Sequence, residues 1–536
     1  MSSDATGSGP IGNPIPLEEN HAGRARSNNS VLESLQTLRL QSLDTVNNAP
    51  FSWRSHGKVC AVTGAGFFTD SYSLFAISAA SIMIGQAYPS HSEPIETCPS
   101  VLTLQSSYDL GLKASSSIGT IFGALIFGWL GDKLGRRRMY GAELLIIVVA
   151  TLGQAVSGQA KAINIIGVLI MWRFLGGIGI GGDYPSSAII ASEFSPTQFR
   201  GRMMNSVFAS QGWGTLTAAI VTLIIISAFK DSINTTSDSS VDFMWRILIG
   251  FGCVPGILTL SSRIAITETP RYTMDIERDV QQAALDVAYL LSRDRPASPE
   301  DDTVTRRAGL PKSGWRDFRG YFSNSENLKM LFGVSYSWFA LDVTYYGLGL
   351  NSGRILQAVG FGCDQSSSST GEIVYNSLRN ICFGNLILLT GLIPGYWVCF
   401  LVIDKFGRKP IQLMGFVVLT GLFIIMGFAF EKLSPNALLG LYCLANFFSN
   451  FGPNTTTFII PAEAFPTRYR STAYGIAAAS GKLGSIITQI GFSKIDNLGH
   501  IFKIFTAFTL TGFIVTYNNI LETKDKSLEE LSNEDL

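Results

Sequence analysis

Two stretches decide the architecture: Gly131-Asp132-Lys133-Leu134-Gly135-Arg136-Arg137-Arg138 and Asp404-Lys405-Phe406-Gly407-Arg408-Lys409, each lying between long apolar runs. Their shared Asp-x-x-Gly-Arg pattern is displaced by 272 residues. Glu193-Phe194-Ser195-Pro196-Thr197-Gln198-Phe199-Arg200 returns as Glu463-Ala464-Phe465-Pro466-Thr467-Arg468-Tyr469-Arg470, displaced by 270. Asp70 finds Asp342, again 272 residues on. Three matches at almost one offset identify an internal duplication.

The flanking runs are long enough to cross a bilayer, which takes about 20 apolar residues. They cover 61–88, 112–131, 139–158, 162–192, 203–229 and 243–266, then 330–358, 379–403, 410–430, 437–461, 471–491 and 498–519. Hydrocarbon cannot hydrate free backbone, so helices are the economical reading of such runs. The expected fold is an all-α membrane protein, with twelve transmembrane helices in two pseudo-symmetric six-helix bundles. Parallel halves imply an axis along the membrane normal, with a binding cavity at their interface near the midplane. The predicted domains are a tail at 1–56, a bundle at 57–266, a linker at 267–329, a bundle at 330–519 and a tail at 520–536.

Composition agrees. Of 536 residues, 46% are hydrophobic and only 15% charged, well below the quarter usual in soluble domains. The 40 basic and 40 acidic residues cancel, which gives no general electrostatic case for a nucleic-acid partner. None of the seven cysteines forms a C-x-x-C pair. Cys98 and Cys363 fall in loops on one side and are expected to remain unpaired. The first 55 residues lack a secretory pattern and read as a disordered or loosely ordered tail.

Lys and Arg concentrate in the short loops after the even-numbered runs, which predicts that those loops and both termini are cytosolic. The linker is then cytosolic, with 275–290 either an amphipathic helix or a mobile tether. In the repeated loops, glycine permits a tight turn. Asp132, Arg136, Glu193, Arg200, Asp404, Arg408, Glu463 and Arg470 are expected to pair and unpair as a cytosolic gate as well as setting topology.

Ionisable residues within spans are expensive and usually functional. They are Asp70, Glu143, Arg173, Asp183, Asp342 and Lys482. Asp70 is too deep for a surface charge, and a lone carboxyl there is expected to take up and release a proton. Its alternative is a neutral packing hydrogen bond. Glu143, near a span end, suits the interface. Asp183 follows the glycine-rich segment 176–182, where a dinucleotide loop would need a preceding strand, so close helix crossing is the reading. Arg173 stands nearly three turns earlier and is available to an acidic group or to an anion. Lys482 is expected to neutralise Asp70 across the halves, with direct attraction of an anion as the alternative.

Trp338, Asp342 and Tyr346 are spaced by four residues and share one helical face. A carboxyl between two donors suits a ligand that donates as well as accepts, as dihydrogen phosphate does; a sugar could use the same groups. Asn454, beside a proline, and Gln211 add an amide from each half. No Ser-His-Asp set or metal cluster occurs at membrane depth, so the expectation is a transporter without cofactor, not an enzyme.

These residues also carry a resemblance. From about Gly57 to Leu528 the chain resembles the major facilitator superfamily, in particular the fungal high-affinity inorganic phosphate:proton symporters. The specific stretches are Thr69-Asp70-Ser71-Tyr72, Gly181-Gly182-Asp183-Tyr184-Pro185, the segment Trp338 to Gly347, Phe451-Gly452-Pro453-Asn454 to Phe458, and Ser480-Gly481-Lys482. The resemblance implies phosphate held by Asp70, Tyr184, Gln211, Trp338, Asp342, Tyr346 and Asn454. It implies proton passage through Asp70 and Asp183, with Lys482 close to the substrate path and joined here to the proton-coupling set. The implied setting is a multi-pass protein of the plasma membrane whose partners are inorganic phosphate, protons and lipids. Alternatives of the same fold are a proton-coupled sugar or glycerophosphodiester transporter, or a phosphate-sensing receptor. The chain departs from the family at Gly212, at Ser186, at Thr267-Glu268-Thr269-Pro270-Arg271 and at Leu521-Glu522-Thr523-Lys524, the last two bearing on linker geometry rather than on the cargo.

Overall fold

The computed structural model describes residues 36–53, 56–95, 98–235, 237–277, 279–292, 314–362 and 369–532. Among these, nine helices are long and apolar enough to cross a membrane. In the first half they are His56–Ala87, Ser106–Leu134, Arg136–Val156, Ile165–Glu193, Arg200–Ala228 and a sixth span broken into Ser237–Phe251 and Cys253–Ile264. In the second half they are Thr370–Phe406, Arg408–Phe428 and Leu498–Asn519, the eighth, ninth and twelfth spans. The seventh (Ser325–Leu350), tenth (Pro435–Asn450 with Pro453–Ala464) and eleventh (Arg470–Lys494) complete the twelve. These three carry Asp342, Asn454 and Lys482; the tenth falls outside the nine by length, its two pieces being 16 and 12 residues.

Equivalent surfaces join the halves: the second span packs on the eleventh, and the eighth on the fifth. Gly135 and Gly407 turn the chain between the second and third spans and between the eighth and ninth, with φ of 100° and 93°. A side chain at either position would be strained in that left-handed backbone. The basic end of the molecule holds both turns. At the opposite end, Ser92–Ile95 pairs antiparallel with Cys98–Leu104 in a hairpin.

Several boundaries differ from expectation for local reasons. The seventh span stops at Leu350, and Ser352–Ala358 is a separate helix. At the break, Asn351 turns its amide to the carbonyl of Gly347 and to Gln489 Oε1, both at 3.2 Å. The eighth span is 37 residues long rather than confined to 379–403. At 1.5 Å per residue it is roughly 55 Å long and projects beyond a bilayer. The sixth span breaks at Gly252, where a Cβ would lie 3.0 Å from the Tyr72 ring.

The tail is only partly as expected. Residues 36–47 form a helix, whose Leu43 and Val46 pack on Met274, Ala283 and Val287 of the linker. Burying that apolar face against the linker gives this part of the tail a fixed place. The linker supplies Thr273–Glu277 and Val280–Ser292, so the amphipathic-helix reading of 275–290 holds with a break near 279. Cys363 and the side chain of Cys98 lie outside the described residues, and the five other cysteines are free.

Candidate functional site

A lysine–carboxylate pair occupies the middle of the second half. Lys482 Nζ of the eleventh span donates to Asp342 Oδ2 at 2.8 Å and to Tyr346 Oη at 2.9 Å. Gly481 makes room for the pair: a Cβ there would fall 2.6 Å from the Trp338 ring and 2.9 Å from Asp342 Oδ2. The lysine also lies 4.8 Å from the ring centre of Tyr184, in the first half, and 4.2 Å from that of Tyr346. The Tyr184 and Tyr346 hydroxyls meet across the halves at 3.3 Å. Lys482 is therefore paired with Asp342, not with Asp70 as charge balance across the halves suggested.

Amides extend the site. Asn454 Nδ2 donates to Tyr396 Oη at 2.9 Å and to Asn450 Oδ1 at 2.7 Å. The Tyr396 hydroxyl in turn points to Gln211 Oε1 of the first half, at 3.5 Å. Asp70, Tyr184, Gln211, Trp338, Asp342, Tyr346 and Asn454 are each 5% exposed or less, so the site is shut from both ends. Asp70 is buried and accepts from no donor, with the Asp183 carboxyl beside it; the buried Tyr345 hydroxyl lies beside Tyr396 and Asn454, and the Tyr474 hydroxyl is buried with no hydrogen bond. Buried polar atoms are normally satisfied.

The first half carries a second charged cluster. Asp183 is held bidentate by Arg263 of the sixth span, at 2.8 and 2.9 Å, and accepts from Ser187 Oγ at 2.8 Å. Glu143 Oε2 accepts from Ser186 Oγ at 3.0 Å, and Glu143 Oε1 lies 3.9 Å from Arg263. The sequence reading missed Arg263, because an arginine three residues from the end of an apolar run passes for one that snorkels to the interface. Arg173 is not drawn into either cluster; its Nε donates to the Leu112 carbonyl at 2.7 Å.

Beneath the central pair, toward the basic end, lies an aromatic plate built from both halves. Phe67 meets Tyr184, Phe208 and Phe458 edge-on at 5.1–5.6 Å. Phe208 stacks on Phe458 at 4.3 Å, and Tyr474 closes the far side against Trp338 at 5.4 Å. No sequence spacing announces this plate, since its members come from six different spans.

All eight predicted gating residues converge at the basic end, in two clusters related by the internal repeat. Arg136 pairs with Asp132 at 3.3 Å and Glu193 at 3.6 Å, and Glu193 is bound by Arg470 of the other half at 2.7 Å. Arg408 pairs with Asp404 at 3.1 Å and Glu463 at 3.0 Å, and Glu463 faces Arg200 of the first half at 3.8 Å. Asp132 caps the start of the eleventh span, accepting from the backbone N–H of Ser471 and Thr472 at 3.1 and 2.7 Å. Asp404 does the same for the fifth span, at Gly201 and Arg202, 3.1 and 3.0 Å. A carboxylate at a helix N-terminus meets both unpaired donors and the positive end of the helix dipole. Here each cap comes from the opposite half, so the two halves are clasped together.

Glu268 and Glu522 sit at the two departures from the family pattern. They cap the third and ninth spans, accepting from the backbone of Arg136 and Arg137 and of Arg408 and Lys409 at 3.0–3.2 Å. The C-terminal segment crosses the same end. Arg271 Nε donates to Glu529 at 2.6 Å and its Nη1 to the Glu193 carbonyl at 2.6 Å. Burial opposes the Glu529 charge, but the Arg271 guanidinium outweighs it and holds this carboxyl well below the usual range.

The hairpin end is different. There a cavity of about 320 Å³ opens between the halves, lined by Lys113, Asn351, Arg354 and Gln489 among others. Gln489 Nε2 donates to the Tyr346 carbonyl at 3.3 Å. The cavity floor is therefore the ceiling of the central site.

Residues 59–534 match the family described as sugar (and other) transporters. The chain is 44% identical over 525 residues to the repressible high-affinity phosphate permease of Neurospora crassa, covering 92% of this chain and 89% of that one. It is 41% identical over 537 residues to the inorganic phosphate transporter PHO84 of Saccharomyces cerevisiae, covering 93% and 88%. Among solved structures it is similar to the major facilitator superfamily proton:xylose symporter XylE bound to 6-bromo-6-deoxy-D-glucose. That likeness has a TM-score of 0.67 at 19% identity, over 90% of this chain and 99% of that one.

Proposed function

Since this chain belongs to the sugar (and other) transporter family, with the major facilitator fold, we propose that it carries inorganic phosphate across the plasma membrane together with protons, by alternating access. The observation that carries the substrate is the pair at the centre: a lysine and two tyrosine hydroxyls, one from each half, gather beside a carboxylate, Asp342. Dihydrogen phosphate donates to that carboxylate while accepting from Lys482, Tyr184 and Tyr346. The names of the Neurospora and Saccharomyces relatives support the same cargo. A sugar has no negative charge for Lys482 to hold.

The basic end faces the cytosol, by the charge of its short loops, with both termini and the linker on that side. In this state the cytosolic clasps are made and the vestibule under the hairpin is open. The floor at Gln489 and Tyr346 opens to admit phosphate from the vestibule, and the proton goes to Asp70, which accepts from no donor. Closure over Tyr346 is followed by parting of the aromatic plate and of the Asp132 and Asp404 caps. Phosphate and proton then leave on the cytosolic side, with Asp183 receiving the proton. Lys482, released by departing phosphate, returns to Asp342 and resets the site. If net positive charge enters, the membrane voltage assists by about 2.3 kcal/mol per charge per 100 mV.

Uptake of labelled phosphate into proteoliposomes under an imposed proton gradient tests this reading. Accumulation that collapses with an uncoupler is expected. Accumulation indifferent to the uncoupler, or displaced by xylose better than by unlabelled phosphate, contradicts it.

A further inference from the structure

Three carboxyl groups share the middle of the first half with one guanidinium, whose role the transport cycle leaves open. Arg263 is buried on the sixth span and grips Asp183 with both terminal nitrogens, at 2.8 and 2.9 Å. The Tyr140 ring lies against the guanidinium at 4.2 Å, and the Tyr140 carbonyl accepts from it at 3.5 Å. The first span yields to the pair: a Cβ on Gly66 would fall 1.5 Å from Arg263 Nη2 and 2.3 Å from Asp183 Oδ2. Gly66 precedes Asp70 by four residues and so lies on the same helical face. The ion pair is thus one turn nearer the basic end than Asp70, whose carboxyl the Asp183 side chain reaches.

We propose that Arg263 is the positioning residue for proton transfer, exchanging between Asp183 and Asp70 so that the two carboxyls hold one proton alternately. The inference rests on Asp70 being the proton carrier. While the basic end is clasped, Arg263 keeps Asp183 as a carboxylate, and Asp70 holds the proton. When the spans part, the guanidinium moves one turn to Asp70. The O–H bond at Asp70 breaks and one forms at Asp183, leaving Asp70 the paired carboxylate and Asp183 the neutral acid. Asp183 then gives its proton to solvent at the basic end. Until that release the pair of sites holds one guanidinium, one paired carboxylate and one neutral acid; the release leaves two carboxylates on Arg263, and a proton taken up by Asp70 from the hairpin end restores the starting state. The other titratable groups facing them are Glu143 and Tyr140 on the third span, and Tyr346 and Lys482 across the interface. Glu143 is held by Ser186, and Lys482 by Asp342.

Arg263→Gln strands Asp183 and can fail to fold, whereas removing both members of a buried pair avoids an uncompensated charge. The double variant Arg263→Gln/Asp183→Asn therefore accompanies it, with Arg263→Lys as the conservative variant. Each is purified, checked for a monodisperse folded state, and reconstituted. Two rates are read: exchange of labelled for unlabelled phosphate, which needs no net proton movement, and accumulation driven by a proton gradient. In the double variant, accumulation is expected to fall on the order of tenfold or more relative to exchange, with a flattened pH profile. Arg263→Lys is expected to recover part of the coupling. A double variant that keeps the wild-type ratio of accumulation to exchange and the wild-type pH profile overturns the proposal, and so does one that loses both rates in proportion. Wild-type protein whose accumulation ignores the gradient overturns the proton-symport reading itself, a separate failure seen before any variant is made.

Discussion

Asp70 and Asp342 occupy equivalent positions of the two halves, yet their surroundings are opposite. Asp342 has a lysine at 2.8 Å and shares it with Tyr346. Asp70 accepts from no donor, and the side chain within hydrogen-bonding reach of it is another carboxyl, that of Asp183. Away from water, a carboxylate persists where a counter-charge meets it, while an isolated one is far costlier and takes up a proton instead. Duplication thus supplied two copies of one carboxyl with different neighbours. In the proposed cycle the lysine-paired copy serves the cargo and the other the protons. The clasps at the basic end show the contrary outcome, since both copies kept equivalent partners.

The comparison breaks most readily at its centre. Asp70→Asn is expected to abolish gradient-driven accumulation while phosphate exchange survives; equal loss of both would return Asp70 to a cargo role. Asp342→Asn leaves Lys482 without its counter-charge, and breaking such a buried pair costs about 3–5 kcal/mol. Its signature is a lower unfolding temperature of the phosphate-free protein, recovered when Lys482→Met is added, with phosphate binding lost in both variants.

Removing a cross-half cap by Asp132→Ala or Asp404→Ala should cost about 0.5–2 kcal/mol each. Labelling of a cysteine placed beneath the aromatic plate should then rise from the basic side by similar amounts in the two variants. A large disparity would show that the clasps are equivalent in form only. The smallest effect is expected at Tyr345→Phe, which deletes one buried hydroxyl beside Asn454 and Tyr396. Loss of one hydrogen bond, about 0.5–1.5 kcal/mol, weakens phosphate binding roughly two- to tenfold in a binding titration.

The clasps were legible in the sequence because the repeat conserved residues on the same side of each half, and charge in short loops has few partners to choose from. Twelve spans followed from hydropathy for the same local reason. The centre was legible only in part. Spacing put Trp338, Asp342 and Tyr346 on one face, but the partner of Lys482 depended on the packing of the seventh span against the eleventh, which Gly481 makes close. Charge balance across the halves favoured Asp70. Arg263 escaped notice near the end of its span, because only the gap left by Gly66 on another helix shows that it points inward. The aromatic plate and the vestibule floor of Asn351 and Gln489 arise from convergence of distant segments, for which no periodicity speaks. The ordered helix at 36–47 was hidden in a polar tail, since its few apolar residues gain meaning from the linker they cover.

The difference between the two aspartates is tested most directly by recording phosphate and proton fluxes simultaneously in the same proteoliposomes, for the wild type and for Asp70→Asn. The account predicts that protons accompany phosphate in the wild type and that the variant exchanges phosphate with no proton movement. Proton entry with phosphate in the variant, at the wild-type ratio, would contradict it.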